Sequence, residues 1–334
     1  MKSLFRITTG AVLSVWALAA TAQEVDLTMV MIPGPGSTYQ TAIESVPERI
    51  AKATDGRAQI TINNSLVKGT QLAPSVRDGR AQMSAVLHPY LSSGDPLMGL
   101  PHLPGLIESM EEYKFVWDAF YGDMLADVWL GKWNSVVLAE GAFCTQNLWS
   151  TTPIQTIEDF KGKKVRVNNT ESATLLNALG AKPTPIAWGE IPSALQRGLI
   201  DAIMASSCAG YQQGFGKVTK YLQNWKTGPI VGWAMLVNKD VWAEVPADLQ
   251  DLIMAEMHAI QEEGFHGYYE YQNMMEAKIA EQGAEFWVAP DDKLAELFVP
   301  KYTEEVYTAW YARAEEAGID GKAIVERVRA VLGK

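Results

Sequence analysis

Positive charge is scarce in this chain. Its 334 residues carry 28 Lys and Arg against 39 Asp and Glu, a net charge of −11. A nucleic-acid binder normally presents a basic face, so that class is disfavoured. Cysteine is scarcer still: Cys144 and Cys208 stand alone, with no CxxC and no neighbouring His to make a metal pattern. They are compatible with one disulfide in an oxidising compartment or with two small buried thiols. The four His, at 88, 102, 258 and 266, form no HExxH, and no GxSxG elbow occurs. Gly34-x-Gly36 lacks the third Gly of a dinucleotide fingerprint. In Gly210–Lys217, Tyr211 and Val218 stand where a phosphate loop needs Gly and a hydroxyl, so this stretch reads as a Gly-rich helix end. Catalytic acids drawn from distant positions remain compatible with the sequence.

Long apolar runs are also lacking, with one exception at the start. Lys2 and Arg6 precede an apolar stretch from Ile7 to Ala20, and Ala20-Thr21-Ala22 has the small-x-small form of a cleavage site. The stretch is shorter than the roughly 20 residues of a membrane span. Residues 1–22 are therefore expected to be a cleaved signal peptide, with export to the periplasm. No Cys follows the cut for lipid anchoring, and no twin Arg precedes it.

What remains is long enough for two lobes. Hydrophobic residues at 48% and charged residues at 20% can build real cores. The pattern alternates. Strands are expected at Glu24–Met31, Ala58–Asn63, Gln82–Leu87, Ser135–Phe143, Lys164–Asn168, Thr184–Ala187, Ile200–Ala205, Ile230–Asn238 and Glu285–Val288. Helices are expected between them, with one long helical stretch from Pro246 to about Gln282. Leu97–Ile107 reads as a packed loop. This βαβ rhythm, without a flexible linker, predicts an α/β fold of two hinged lobes. Residues 23–143 would form mainly lobe I and 144–230 mainly lobe II. Residues 231–334 would give a crossing strand and C-terminal helices packing across both.

Two residue types point to binding. Eleven Trp is many, and Trp149, Trp188, Trp225 and Trp233 fall near expected strand ends, suited to core packing or to a cleft wall. Arg166 sits among apolar neighbours in Lys164-Val165-Arg166-Val167. A guanidinium there needs an anion, because an unpaired buried charge is costly. Its fork matches a carboxylate, either a ligand's or that of an internal Asp or Glu.

The stretch Ile157-Glu-Asp-Phe-Lys-Gly-Lys-Lys-Val-Arg-Val167 resembles the signature of DctP-type solute-binding proteins of tripartite ATP-independent periplasmic (TRAP) transporters. Leu179-Gly-Ala181, Pro183, Pro185, Trp188-Gly-Glu190 and Ala194-Leu-Gln-Arg-Gly-Leu-Ile-Asp201 extend the match. So do Thr54-Asp-Gly-Arg57, Val76-Arg-Asp-Gly79, Leu100-Pro101 with Leu103-Pro104, and Val237-Asn-Lys239. The resemblance implies the two-lobed periplasmic binding protein fold (type II-like), a cleft that closes on ligand, and small and large membrane subunits as partners. It implies no enzyme activity and no cofactor or metal. Arg166 matches the residue that clamps the ligand carboxylate, Asn169 a polar contact and Trp188 an aromatic contact. Two positions depart from the family. Ala205 replaces a usual Asn, and Gln146 stands where sialic-acid-binding relatives carry a second Arg. Tyr39, His88, Met204 and Trp233 complete the expected cleft residues. The less polar pocket implies a monocarboxylate with an apolar or aromatic body. A C4-dicarboxylate, a sensor-input role and a periplasmic enzyme are the rival readings.

Overall fold

The computed structural model describes residues 23–334 apart from 34–36, 66, 68, 187 and 229. The expected signal peptide lies outside the described residues. The first sheet begins with β1 (Val25–Val30) and β2 (Ala58–Asn63), parallel and in register from Val25↔Ala58 to Val30↔Asn63. The helix Thr38–Ala53 joins them. Ser37 Oγ caps it by accepting from Gln40 N, and it buries Tyr39, Ile43, Val46 and Ile50, the three-to-four spacing of one apolar face. β3 (Met83–Leu87) and β4 (Ser135–Ala142) follow, and a later strand enters antiparallel between them to complete the five-stranded order β2-β1-β3-β10-β4. That strand, β10 (Gly232–Asn238), is buried throughout, as its unbroken apolar run requires.

The second sheet holds β5 (Gln146–Ser150), β6 (Lys164–Val167), β7 (Lys182–Pro185), β8 (Ala202–Ser206), β9 (Tyr221–Asn224) and β11 (Glu285–Val288), in the order β11-β9-β5-β8-β6-β7. β6, β7 and β8 are parallel, and β5 runs antiparallel to β8 and β9. β7 carries two prolines, which suits its place at the sheet edge.

The chain passes from the first sheet to the second at 143–145 and back to the first at 225–231. Cys144 and Cys208 form a disulfide with Cα atoms 5.8 Å apart, tying the first crossover to the helix Ser207–Gln212. Of the two cysteine alternatives, the structure takes the disulfide. The expected long C-terminal helix breaks at Gly267 into Ala247–His266 and Tyr268–Glu281. The first half packs on β4 and on Thr38–Ala53, the second on Ser207–Gln212, so the break carries the chain from one sheet to the other. The packed loop expected near Leu97 is largely a 3-10 turn, Pro96–His102, buried along its whole length.

Candidate functional site

The cleft lies where strand ends of the two sheets face each other, the usual ligand position in open α/β sheets. β6 delivers Arg166, which is only 3% exposed. Nε donates to the carbonyl of Ile186 at 3.3 Å and Nη1 to that of Met204 at 3.1 Å. The guanidinium lies over Trp188, 5.5 Å from the ring centroid. Among the described residues no Asp or Glu pairs with it. Burial pulls its pKa below the usual arginine range, and the Tyr90 hydroxyl opposes that shift. The internal salt bridge left open by the sequence is therefore not the one built. Two of the five N–H donors of the guanidinium go to carbonyls, and the others remain for the cavity and Tyr90.

Around Arg166 the walls leave a small cavity of about 50 Å³. The side of the first sheet contributes Tyr39 from its helix with Leu87, Tyr90, Phe143 and Val231 from strand ends and the turns beside them, and the side of the second contributes Gln146, Arg166, Asn168, Ala205 and Ser206. Tyr39 stacks on Phe143 at 5.2 Å and donates its hydroxyl to the Ala85 carbonyl, which fixes its ring as an apolar wall. Trp188 leans on Phe215 at 5.6 Å. Gln146 is 8% exposed, and its Oε1 has no hydrogen-bond partner. A wider cleft continues outward past Arg166, Asn168 and Trp188 and is lined by small polar groups such as Thr70, Ser92, Ser93 and Thr170.

Arg166, Trp188, Gln146 and Tyr39 thus come together on the inner cavity. Asn169 lines only the outer cleft, and its Oδ1 caps the helix Thr170–Ala178 by accepting from Ser172 N at 2.7 Å. Three expected residues are not on the cavity wall. His88 turns into the first lobe, 3.6 Å from Glu140, and burial lowers its pKa to about 3, so the imidazole is neutral. Trp233 stands behind Tyr39, edge-on at 6.2 Å, in a slot floored by Gly141, where a Cβ would lie 2.3 Å from the indole. Met204 points into the core, and its part in the site is the carbonyl that receives Arg166.

Sequence reasoning missed Tyr90, Asn168, Phe143 and Ser206. Each follows or closes the carboxyl end of a strand, at β3, β6, β4 and β8, so the strand-end rule would have found them. The described lining residues include no Asp, Glu, His or Cys. Such a wall can hold and orient an anion, but it offers no carboxylate or imidazole for proton transfer.

The chain matches the family model described as bacterial extracellular solute-binding protein, family 7 (DctP) over residues 29–313. A solute-binding protein of Roseobacter denitrificans is 27% identical over 271 residues, 78% of this chain and 80% of that one. An extracytoplasmic solute receptor of Bordetella pertussis binding pyroglutamic acid superposes with a TM-score of 0.82 at 22% identity, covering 91% of this chain and 99% of its own. A TRAP periplasmic solute-binding protein of Desulfovibrio salexigens with bound orotic acid gives 0.81 at 19% identity, covering 92% and 98%. With most of the chain inside the family model and the two-lobed fold shared, the chain belongs to the DctP-type solute-binding proteins that serve TRAP transporters.

Proposed function

We propose that this receptor is exported by its N-terminal segment, captures one small organic monocarboxylate with an apolar or aromatic body, and delivers it to a pair of TRAP membrane subunits. The observation that carries the reading is Arg166: a buried guanidinium with no acid against it among the described residues, over Trp188, in a wall otherwise neutral or apolar. A buried charge without a counter-charge is unfavourable, and a ligand carboxylate supplies the partner in the two-point geometry a guanidinium fits. Trp188, Tyr39 and Phe143 then cover the ligand body.

The dicarboxylate alternative fares worse. Arg166 is the single cation among the described lining residues, so a second carboxylate would enter without a counter-charge. Solved relatives of this fold carry pyroglutamic acid, orotic acid and succinate alike, so the choice of class rests on the cavity lining. Lobe boundaries at 143/144 and 230/231 fit the places where the chain passes between sheets. Closure follows from population shift: a ligand touching both walls favours the closed state through contacts the open state lacks.

The test is a thermal-shift and calorimetry panel of pyroglutamate, orotate, benzoate, phenylacetate, succinate and sialic acid. The expected result is stabilisation by ring-bearing monocarboxylates. Stabilisation by succinate or sialic acid alone would overturn the ligand class. Recovery of the bound acid unchanged after long incubation is expected of a receptor, whereas turnover would mark an enzyme.

A further inference from the structure

Glu171 is buried beside the cleft without facing it. It opens the helix Thr170–Ala178, five residues after Arg166, and its side chain is 0% exposed. The carboxylate enters a socket on the turn Pro96–His102. A Cβ at Gly99 would fall 2.4 Å from Oε1 and 2.6 Å from the carboxyl carbon, so only glycine leaves room for it. The turn itself is held firmly: Trp310 Nε1 donates to the Pro96 carbonyl at 2.7 Å, and the Tyr121 hydroxyl to that of Leu97 at 2.6 Å. Arg313, one helical turn beyond Trp310, donates to Glu171 Oε1.

The socket reaches the opposite wall through Ser92. Thr170 N approaches Ser92 Oγ at 3.5 Å, and the Ser92 hydroxyl lies close enough to the Glu171 carboxylate to favour its charged form. Ser92 and Tyr90 follow β3 of the first sheet, whereas Thr170 and Asn168 follow β6 of the second, and all four line the outer cleft. Glu171 is therefore the point at which the two walls meet. The pair with Arg313 is an inefficient source of stability, since Glu171 Oε2 and Arg313 Nε are buried without partners.

We propose that Glu171 is a positioning residue for ligand capture, whose carboxylate, seated on Gly99, paired with Arg313 and set beside Ser92, holds the Arg166–Asn168 wall in register with the Tyr90–Ser92 wall. The proposal rests on the reading that Arg166 takes the ligand carboxylate. Glu171 contributes no atom to the cavity, so its loss weakens different acids by the same factor.

The experiment uses the mature protein and the variants Glu171→Gln, Gly99→Ala and Arg166→Lys, with pyroglutamate and orotate as calorimetric probes and hydrogen exchange measured without any ligand. Glu171→Gln and Gly99→Ala are expected to weaken both acids by about tenfold while leaving their affinity ratio unchanged. They are also expected to speed exchange together at 90–93 and 167–172, while the helix Ala247–His266 stays protected. Wild-type exchange at both segments in Glu171→Gln, or an altered ratio between the two acids, overturns the positioning role. Normal affinity in Arg166→Lys instead overturns the receptor reading on which it depends. The exchange measurement decides the matter even if neither probe binds, and Glu171→Gln preserves side-chain size should Gly99→Ala fail to fold.

Discussion

Arg166 brings one positive charge into the cavity wall, and in the proposed function a ligand carboxylate pairs with it. Arg166→Ala is expected to weaken binding of the best monocarboxylate by about 2 to 5 kcal/mol, measured by calorimetry. Arg166→Lys is expected to fall well short of rescue, because an ammonium lacks the planar fork and its stacking on Trp188. Gln146→Arg is expected to raise the affinity for succinate relative to pyroglutamate, measured as the ratio of dissociation constants, by giving a second carboxylate its missing cation. Arg166 was legible because a charged residue inside an apolar strand demands a partner. His88 and Trp233 were misplaced for a physical reason: both lie at strand ends, and a place at a strand end does not tell which way the side chain turns. Gly141 makes that choice for Trp233 by vacating a slot behind the wall.

At the scale of elements, the disulfide and the β4 acid are the features to probe. Reducing Cys144–Cys208, which closes a separation of 64 residues, is expected to lower unfolding stability by about 4 kcal/mol in denaturant titrations, on the chain-entropy model. Glu140 on β4 is held by the indole N–H groups of Trp117 and Trp129 at 2.8 and 3.0 Å, and burial pushes its pKa up to about 7. The folded state thus binds this proton more tightly than the unfolded chain does. Its contribution is fully present below the unfolded value of 4.5 and lost as pH rises through about 7. His88 and His102 act in the opposite sense, being held neutral with values lowered to about 3 and 4. The difference in unfolding stability between wild type and Glu140→Gln isolates the carboxyl, and it is expected to shrink from pH 4.5 to 7. The alternating β2, the apolar β10 and the short β11 were legible to within two residues. β5 (Gln-Asn-Leu-Trp-Ser) and β9 (Tyr-Leu-Gln-Asn) were not, because they bury polar side chains that pair across the two strands: the Ser150 hydroxyl meets the Gln223 side chain at 3.1 Å. Polar residues satisfied inside a sheet leave no hydrophobic period to read.

For the whole molecule, the proposed closure on ligand is open to direct measurement. Small-angle scattering is expected to show a smaller radius of gyration on adding a stabilising monocarboxylate, and no change in Arg166→Ala at the same concentration. The two-lobed architecture was legible from the βαβ rhythm and the absence of a linker. The path of the C-terminal third was not, since a single Gly267 redirects one helical stretch from the first sheet to the second.

A guanidinium without an acid of its own also has a practical consequence. Small anions of the medium, acetate and formate above all, become competitors for the same donors. Apparent affinities will therefore depend on buffer identity at constant ionic strength, and purification in acetate will mask a weak natural guest.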